Sequence, residues 1–153
     1  MITKLEKSFE VAQSPNLVWE HLIDPEKVMD CVPGVSIEEK VGDNHYKGKV
    51  GMKFGPIGVK YKADIVYDEI DPEGQKIILS GKGVDTKGMG NAAMKMVLDL
   101  TKTTEGGSKL DAIMDVTISG KVAQYGSRLV NTVSNQLFKQ FVTNFTKKLN
   151  EAE

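Results

Sequence analysis

The sequence predicts an α+β fold in which a curved, seven-stranded antiparallel sheet wraps around one long C-terminal helix. From Val35 to about residue 119, apolar and polar residues alternate, as in strands that bury one face. From about Lys121 to about Asn150, apolar residues recur mostly every four positions, which indicates a helix roughly 43 Å long. A helix of that length can span a sheet, so we predict a helix-grip architecture.

The first predicted strand covers residues 2 to 12. Alternation places three apolar residues on one face of this strand, Leu5, Phe9 and Val11. Lys7 intrudes on the same face. The strand is therefore predicted to be half-buried, with one charged residue on its apolar side.

Two short helices are predicted between strands 1 and 2. Ser14 and Asp24 are helix-capping residues, and each is followed by a proline, which is favoured at the first helical position. The helices should cover residues 14 to 23 and 25 to 30. We expect a kink at Asp24, because a residue that precedes proline disfavours helix.

The remaining six strands are predicted to follow one another through hairpins. Turn signals lie at Gly42-Asp43-Asn44, Pro72-Glu73-Gly74 and Gly88, and Gly55-Pro56 should break the ladder between strands 3 and 4. Strand 5, residues 76 to 83, contains Gly81 and Gly83, which predict either a bulge or a close backbone approach. The apolar face of strands 3, 6 and 7 should carry Tyr46, Val50, Met52, Phe54, Met94, Met96, Leu98, Leu100, Leu110, Ala112, Met114, Val116 and Ile118.

Length and charge limit the class of protein. The 153 residues suffice for a single domain, 1–153, and a net charge of −1 with interspersed signs indicates no nucleic-acid partner. Cys31 is the one cysteine, which excludes an internal disulfide and fits a reducing compartment. No uncharged apolar stretch approaches about eighteen residues. We therefore expect a cytoplasmic protein.

Residues suited to catalysis or metal binding are few. His21, His45 and Cys31 occur at unrelated spacings that do not form a metal site, and both histidines look peripheral. The glycines from Gly81 to Gly90 match no phosphate-binding or dinucleotide-binding pattern. The sequence thus predicts no catalytic residues, no metal and no cofactor.

The predicted architecture instead favours an internal apolar cavity. One helix over a strongly curved sheet leaves space, and flexible methionine side chains suit irregular space and varied apolar ligands. The alternative is that these methionines simply pack a core. The candidate lining residues are Trp19, Leu22, Met29, Met52, Tyr61, Met94, Met96, Met114, Val133, Leu137 and Phe141.

Three sequence segments, in a set order along the chain, make it similar to a known protein family. These are Asp24-Pro25-Glu26, Val32-Pro33-Gly34 and the run from Gly120 to Leu129, with Trp19 ahead of the first. Over residues 2 to about 148 the chain resembles the CoxG family of carbon monoxide dehydrogenase subunits, part of the START and Bet v 1-like (SRPBCC) superfamily. The resemblance implies a helix-grip fold with a hydrophobic cavity and no catalytic residues. It also implies an accessory role for molybdenum hydroxylases, in their maturation or membrane recruitment.

One departure from the family concerns the C-terminus. Family members tied to membranes tend to carry a longer C-terminal tail, whereas this chain stops at residues 150–153. We therefore expect no stable membrane anchor.

The leading hypothesis is an accessory protein that binds a lipophilic, lipid-like or quinone-like small molecule and serves a molybdenum hydroxylase or its maturation factors. One alternative is a cyclase-type or hydrolase-type enzyme that uses the cavity as its active site. Another is a module that only binds proteins. Arg128, the one arginine, is the candidate partner-binding residue, because arginine is frequent at interface hot spots and Gly126 and Ser127 beside it are small. The alternative for Arg128 is a solvated or salt-bridged charge beside the helix start.

Overall fold

A computed structural model describes residues 2–54 and 57–152, and within them seven antiparallel strands form one sheet in the order β1-β7-β6-β5-β4-β3-β2. Two short helices follow β1, and a long helix follows the last strand. This arrangement confirms the predicted helix-grip fold class. The elements are β1 (Ile2–Val11), α1 (Pro15–Leu22), α2 (Pro25–Met29), β2 (Val35–Gly42), β3 (His45–Phe54), β4 (Ile57–Asp71), β5 (Lys76–Asp85), β6 (Gly90–Lys102), β7 (Ser108–Gly120), a 3-10 helix (Lys121–Tyr125) and α3 (Gly126–Ala152).

The two short helices begin where their capping residues predict. The Ser14 hydroxyl accepts a hydrogen bond from the backbone N–H of Leu17 at 3.5 Å. The Asp24 carboxylate accepts bonds from the N–H groups of Glu26 and Lys27 at 3.1 and 3.4 Å. Asp24 itself is extended, so the chain bends between α1 and α2 as expected.

The long helix begins later than predicted. Residues 121–125 form a 3-10 helix, and Gly126 follows it with a φ of 74° before the 27 residues of α3 continue. A positive φ interrupts a right-handed helix and is open to glycine at little cost. The apolar spacing runs through this interruption, which is why the pattern alone predicted one continuous helix from Lys121.

The glycines of β5 serve a close approach rather than a bulge. Pairing of β5 with β4 and β6 runs through Gly81 and Gly83 without a shift, and the irregularity in β4 lies between Tyr67 and Glu69. A Cβ at Gly83 would lie 3.0 Å from the Cβ of Tyr61. Of the two predicted alternatives, the close approach is therefore the one that the structure shows. The predicted break at Gly55-Pro56 lies outside the described residues, as does the orientation of the Phe54 side chain.

Helix α3 is attached to the first strand along its whole length. Near the helix start, the Thr3 hydroxyl donates to Ser127 at 3.3 Å, and near its end the Gln13 amide donates to Asn150 at 2.7 Å. Ten extended residues cover about 33 Å, and the 23 helical steps from Ser127 to Asn150 cover about 35 Å. The two chain segments between these hydrogen bonds are therefore about equally long.

Aromatic rings fill the centre of this contact. Phe9 meets Phe138, Phe141 and Phe145 edge-on, with centroids 5.8, 6.2 and 6.3 Å away. Phe145 is fully buried at 0% exposure and stacks on Phe141 at 5.1 Å. His21 lies edge-on to Phe145 at 6.3 Å and is only 5% exposed, so its predicted peripheral position is wrong.

Phe145→Ala should lower the free energy of unfolding by about 3–5 kcal/mol, because the deletion leaves a cavity in a fully buried aromatic cluster. Phe141→Ala should cost less, since Phe141 is half-buried. Urea unfolding of both variants measures the difference, with the exposed Thr143→Ala as the control. A cost for Phe145→Ala no larger than for Thr143→Ala would show that this cluster does not hold the helix.

Candidate functional site

An apolar cavity of about 390 Å³ lies between the concave face of the sheet and α3. The closest backbone contacts of α3 are with β1, the 3-10 helix and α1, so the helix stands away from the middle of the sheet. The cavity fills that gap. Its wall is built by inward-facing residues of the strands, by α2 and the segment after it, and by one face of α3.

Most of the candidate lining residues meet at this cavity. The structure places ten of them at its wall: Leu22, Met29, Met52, Tyr61, Met94, Met96, Met114, Val133, Leu137 and Phe141. Trp19 is different, because it packs in the hydrophobic core with Val18 and Leu22, and its predicted place at the cavity wall is wrong. The role of the ten residues in binding remains a prediction.

Strand register explains why the methionines cluster. Met96 of β6 lies directly opposite Met114 of β7, and Met94 lies opposite Val116 and Gly81. A Cβ built on Gly81 would lie 3.5 Å from the Met94 methyl carbon, so the Met94 side chain occupies room that the glycine leaves. Flexible thioethers next to glycine make this part of the wall adaptable.

A second set of lining residues was not predicted from the sequence. On α3 the cavity contacts a stripe wider than predicted, which adds Leu129, Val130, Ser134 and Phe138. These residues lie three or four positions from the predicted lining residues of α3. That spacing could have predicted them, because a helix that faces a broad concave surface presents more than one row of side chains. The sheet and the segment around α2 add Leu5, Lys7, Phe9, Val28, Val32, Val35, Val50, Ala63, Ile65, Leu79, Gly81, Gly83, Ala92, Leu98, Leu110, Ala112, Val116 and Ile118, together with Val122 of the 3-10 helix.

Few polar side chains reach the cavity. Among the described lining residues there is no histidine, aspartate, glutamate or cysteine. Lys82 contributes to the wall, but it is exposed and alternates with the inward-facing glycines 81 and 83, so its side chain points outward. The other polar residues in the lining are Lys7, Ser134 and Tyr61.

Two buried tyrosines have raised pKa values. Burial, and then the nearby Asp85 carboxylate, raise the pKa of Tyr61 at the cavity wall. Burial is also the main cause that raises the pKa of Tyr67, whose hydroxyl donates to the Leu22 carbonyl at 3.3 Å. Both phenols are therefore neutral hydrogen-bond donors at physiological pH.

The other reactive side chains lie apart from one another. The Cys31 thiol is buried and donates to the Lys27 carbonyl at 3.3 Å, and burial raises its pKa. His45 pairs with Asp64 at 2.8 Å, with both side chains partly exposed. Within residues 2–54 and 57–152, no group of three His, Cys, Asp or Glu residues is placed to hold a metal ion. In the same ranges no helix is long and apolar enough to cross a membrane.

Arg128 is exposed in the first turn of α3, close in sequence to Tyr125, which is 45% exposed. In the part of the chain that is described, no carboxylate lies within ion-pair distance of its guanidinium. Within the described residues, Arg128 is therefore not held by a salt bridge.

The sequence of this chain matches that of a known protein family. The family model for CoxG, a subunit of carbon monoxide dehydrogenase, matches residues 8–150. The chain belongs to the CoxG family. This membership confirms the resemblance found in the sequence, and a comparison with curated proteins gives no match.

Solved structures extend the comparison of this CoxG family member. A conserved protein from Geobacillus kaustophilus is 26% identical, with a TM-score of 0.84 over 98% of this chain and 97% of that chain. The ZhuI aromatase/cyclase from Streptomyces sp. R1128 is 14% identical, with a TM-score of 0.68 over 98% and 94%. A START superfamily protein from Mycobacterium smegmatis is 12% identical, with a TM-score of 0.67 over 98% and 99%. The last two likenesses show a shared fold.

Alkaline pH should destabilise the protein through Tyr67 and Tyr61. Below about pH 10 both residues are protonated in the folded and unfolded chains, so they add no pH dependence. Above that pH the unfolded chain loses protons that the folded chain keeps, and the free energy of unfolding falls. Tyr67→Phe should make that fall shallower, and Tyr61→Phe should do so to a smaller extent. Urea unfolding across a pH series measures the slopes, with the exposed Tyr125→Phe as control. Slopes unchanged from wild type in both variants would contradict the assignment.

Proposed function

We propose that this protein binds a lipophilic small molecule in the cavity and serves a molybdenum hydroxylase of the carbon monoxide dehydrogenase type, in its maturation or recruitment. The observation that carries the binding part is the cavity wall, which is formed almost entirely by apolar side chains between the sheet and α3. The family membership supports the accessory part. A lipid-like or quinone-like molecule has the chemistry that such a wall accepts.

The dimensions of the cavity support this proposal. Its volume of about 390 Å³ falls within the roughly 300–1,000 Å³ usual for small-molecule sites. Each 100 Å² of apolar ligand surface removed from water contributes about 2.5 kcal/mol before the costs of association. Met94, Met96 and Met114 can adjust to different ligand shapes by changing rotamer. A family of similar apolar molecules therefore fits this wall better than one rigid ligand.

We place Arg128 at the surface that contacts the partner protein. Its planar donor fork is free of an intramolecular ion pair in the described chain, and the half-exposed Tyr125 ring lies three residues before it. Exposed arginine and tyrosine are the side chains that most often carry binding energy at protein interfaces. We assign this surface to the molybdenum hydroxylase or to its maturation factors.

The rival function is an enzyme of the same fold, since one similar structure is that of an aromatase/cyclase. Tyr61 is the residue that favours it, because a buried phenol with a raised pKa can donate a hydrogen bond to a carbonyl group. A base to accept a proton would also be needed, and the described lining has no histidine or carboxylate. That lining supports ligand binding ahead of proton transfer.

Met94→Trp and Met114→Trp should each weaken binding of a lipophilic ligand, because an indole occupies volume that the ligand needs. Displacement of a hydrophobic fluorophore measures the change. Lys95→Trp is the control, since Lys95 lies between Met94 and Met96 on β6 and is exposed. If both methionine variants keep wild-type binding and stability, the ligand is not held at this cavity.

Arg128→Ala should leave folding and ligand binding unchanged and weaken capture of a molybdenum hydroxylase or its maturation factors. An interface hot spot typically costs about 2 kcal/mol or more when truncated to alanine, which is a roughly 30-fold loss of affinity. Lys139→Ala, an exposed charge further along α3, is the matched control. Equal capture by Arg128→Ala and wild type, or unfolding of the variant, would leave Arg128 as a structural charge.

A further inference from the structure

We propose that Lys7 makes the cavity selective for a lipophilic molecule that ends in an anionic group, of which a long-chain carboxylate is the simplest. This inference rests on the proposed binding function and deepens it by naming the chemistry of one end of the ligand. It arises from the one charged side chain that faces the cavity among the described residues.

Backbone geometry forces the Lys7 side chain inward. Leu5 and Phe9, two residues to either side on β1, also line the cavity, whereas Glu6 and Ser8 are exposed. Side chains alternate across a strand, so position 7 lies on the cavity side. Its partner on β7 is Ala112, another lining residue, whose small side chain leaves space next to the lysine stem.

The contacts of the Lys7 ammonium are neutral. It donates a hydrogen bond to the Asn135 side-chain carbonyl on α3 and lies 5.9 Å from the centroid of the Phe138 ring. Among residues 2–54 and 57–152, no carboxylate lies within ion-pair distance of it. The Lys7 side chain is half-buried, and its positive charge lies at the exposed edge of the cavity wall, beside Asn135, with no protein counter-charge in the described chain.

An ammonium group has three donors, and the amide of Asn135 uses one of them. A carboxylate is the partner that gains most from the remaining donors, because a hydrogen bond between two charged groups is about twice as strong as a neutral one. Ser134, which precedes Asn135 on α3, lines the same cavity and adds a hydroxyl donor. The wall thus combines a large apolar surface with one cationic group at its edge, which suits a lipophilic anion.

The test compares dodecanoate with its methyl ester, which has the same chain and no charge. Each ligand displaces the neutral fluorophore N-phenyl-1-naphthylamine from the wild type, from Lys7→Met and from Lys4→Met. Lys4 lies on the same strand but is exposed and does not line the cavity, so it is the matched control. Lys7→Met should raise the dissociation constant for dodecanoate by about 10-fold or more and leave that for the ester within about 2-fold. Lys4→Met should change neither.

The outcomes separate this inference from the proposed function. If Lys7→Met leaves dodecanoate binding unchanged, or weakens acid and ester alike, the anion selectivity is wrong while ligand binding in the cavity stands. If neither acid nor ester displaces the fluorophore from the wild type, both proposals fail. Lys7→Arg keeps the charge and should keep the preference for the acid. Lys7→Gln replaces Lys7→Met if the methionine variant does not fold.

Discussion

The contact between α3 and β1 is the constraint on which the rest of the structure depends. Polar bonds at both ends and a cluster of phenylalanines between them hold the helix beside an edge strand of the sheet. Because the helix is held at the edge, and the sheet curves away beneath it, the two cannot close over the central strands. The ring contacts of Phe9, together with these polar bonds, therefore fix α3 beside β1 and leave the gap in which the cavity lies.

That geometry leaves side chains of the central strands without close partners across the gap. Side chains that face one another across a gap make fewer dispersion contacts than side chains in a packed core. The wall of this gap carries methionines, glycines and alanines on the sheet, together with the Tyr61 ring, whereas the phenylalanine cluster lies where β1 meets α3. The protein is packed firmly at one side and loosely at its centre.

Local signals predicted most of the fold. Alternation identified the strands, and Ser14 and Asp24 with their following prolines identified both short helices, because these features act within a few residues. Whether a buried side chain lies in the packed core or at the cavity wall could not be predicted in the same way. Trp19 and Leu22 lie one helical turn apart on the same face, yet Trp19 packs in the core and Leu22 also reaches the cavity. The interruption of the helix at Gly126 was not predicted, because the spacing of apolar residues carries no information about the φ angle of a single residue. Lys7 looked like an exception to the pattern, and only the placement of α3 shows that its side chain lines the cavity.

The pairing of β1 with β7 also affects how the chain acquires its structure during synthesis. Strand β1 leaves the ribosome well before its partner, and Leu5 meets Met114 only when most of the sheet has been made. The hairpins from β2 to β7 can form earlier, since each joins neighbours in the sequence. Their apolar face stays uncovered until α3 emerges and docks on β1. Closure of the cavity is thus expected late in folding, and a chain interrupted before α3 leaves the apolar face of the sheet exposed to other hydrophobic molecules.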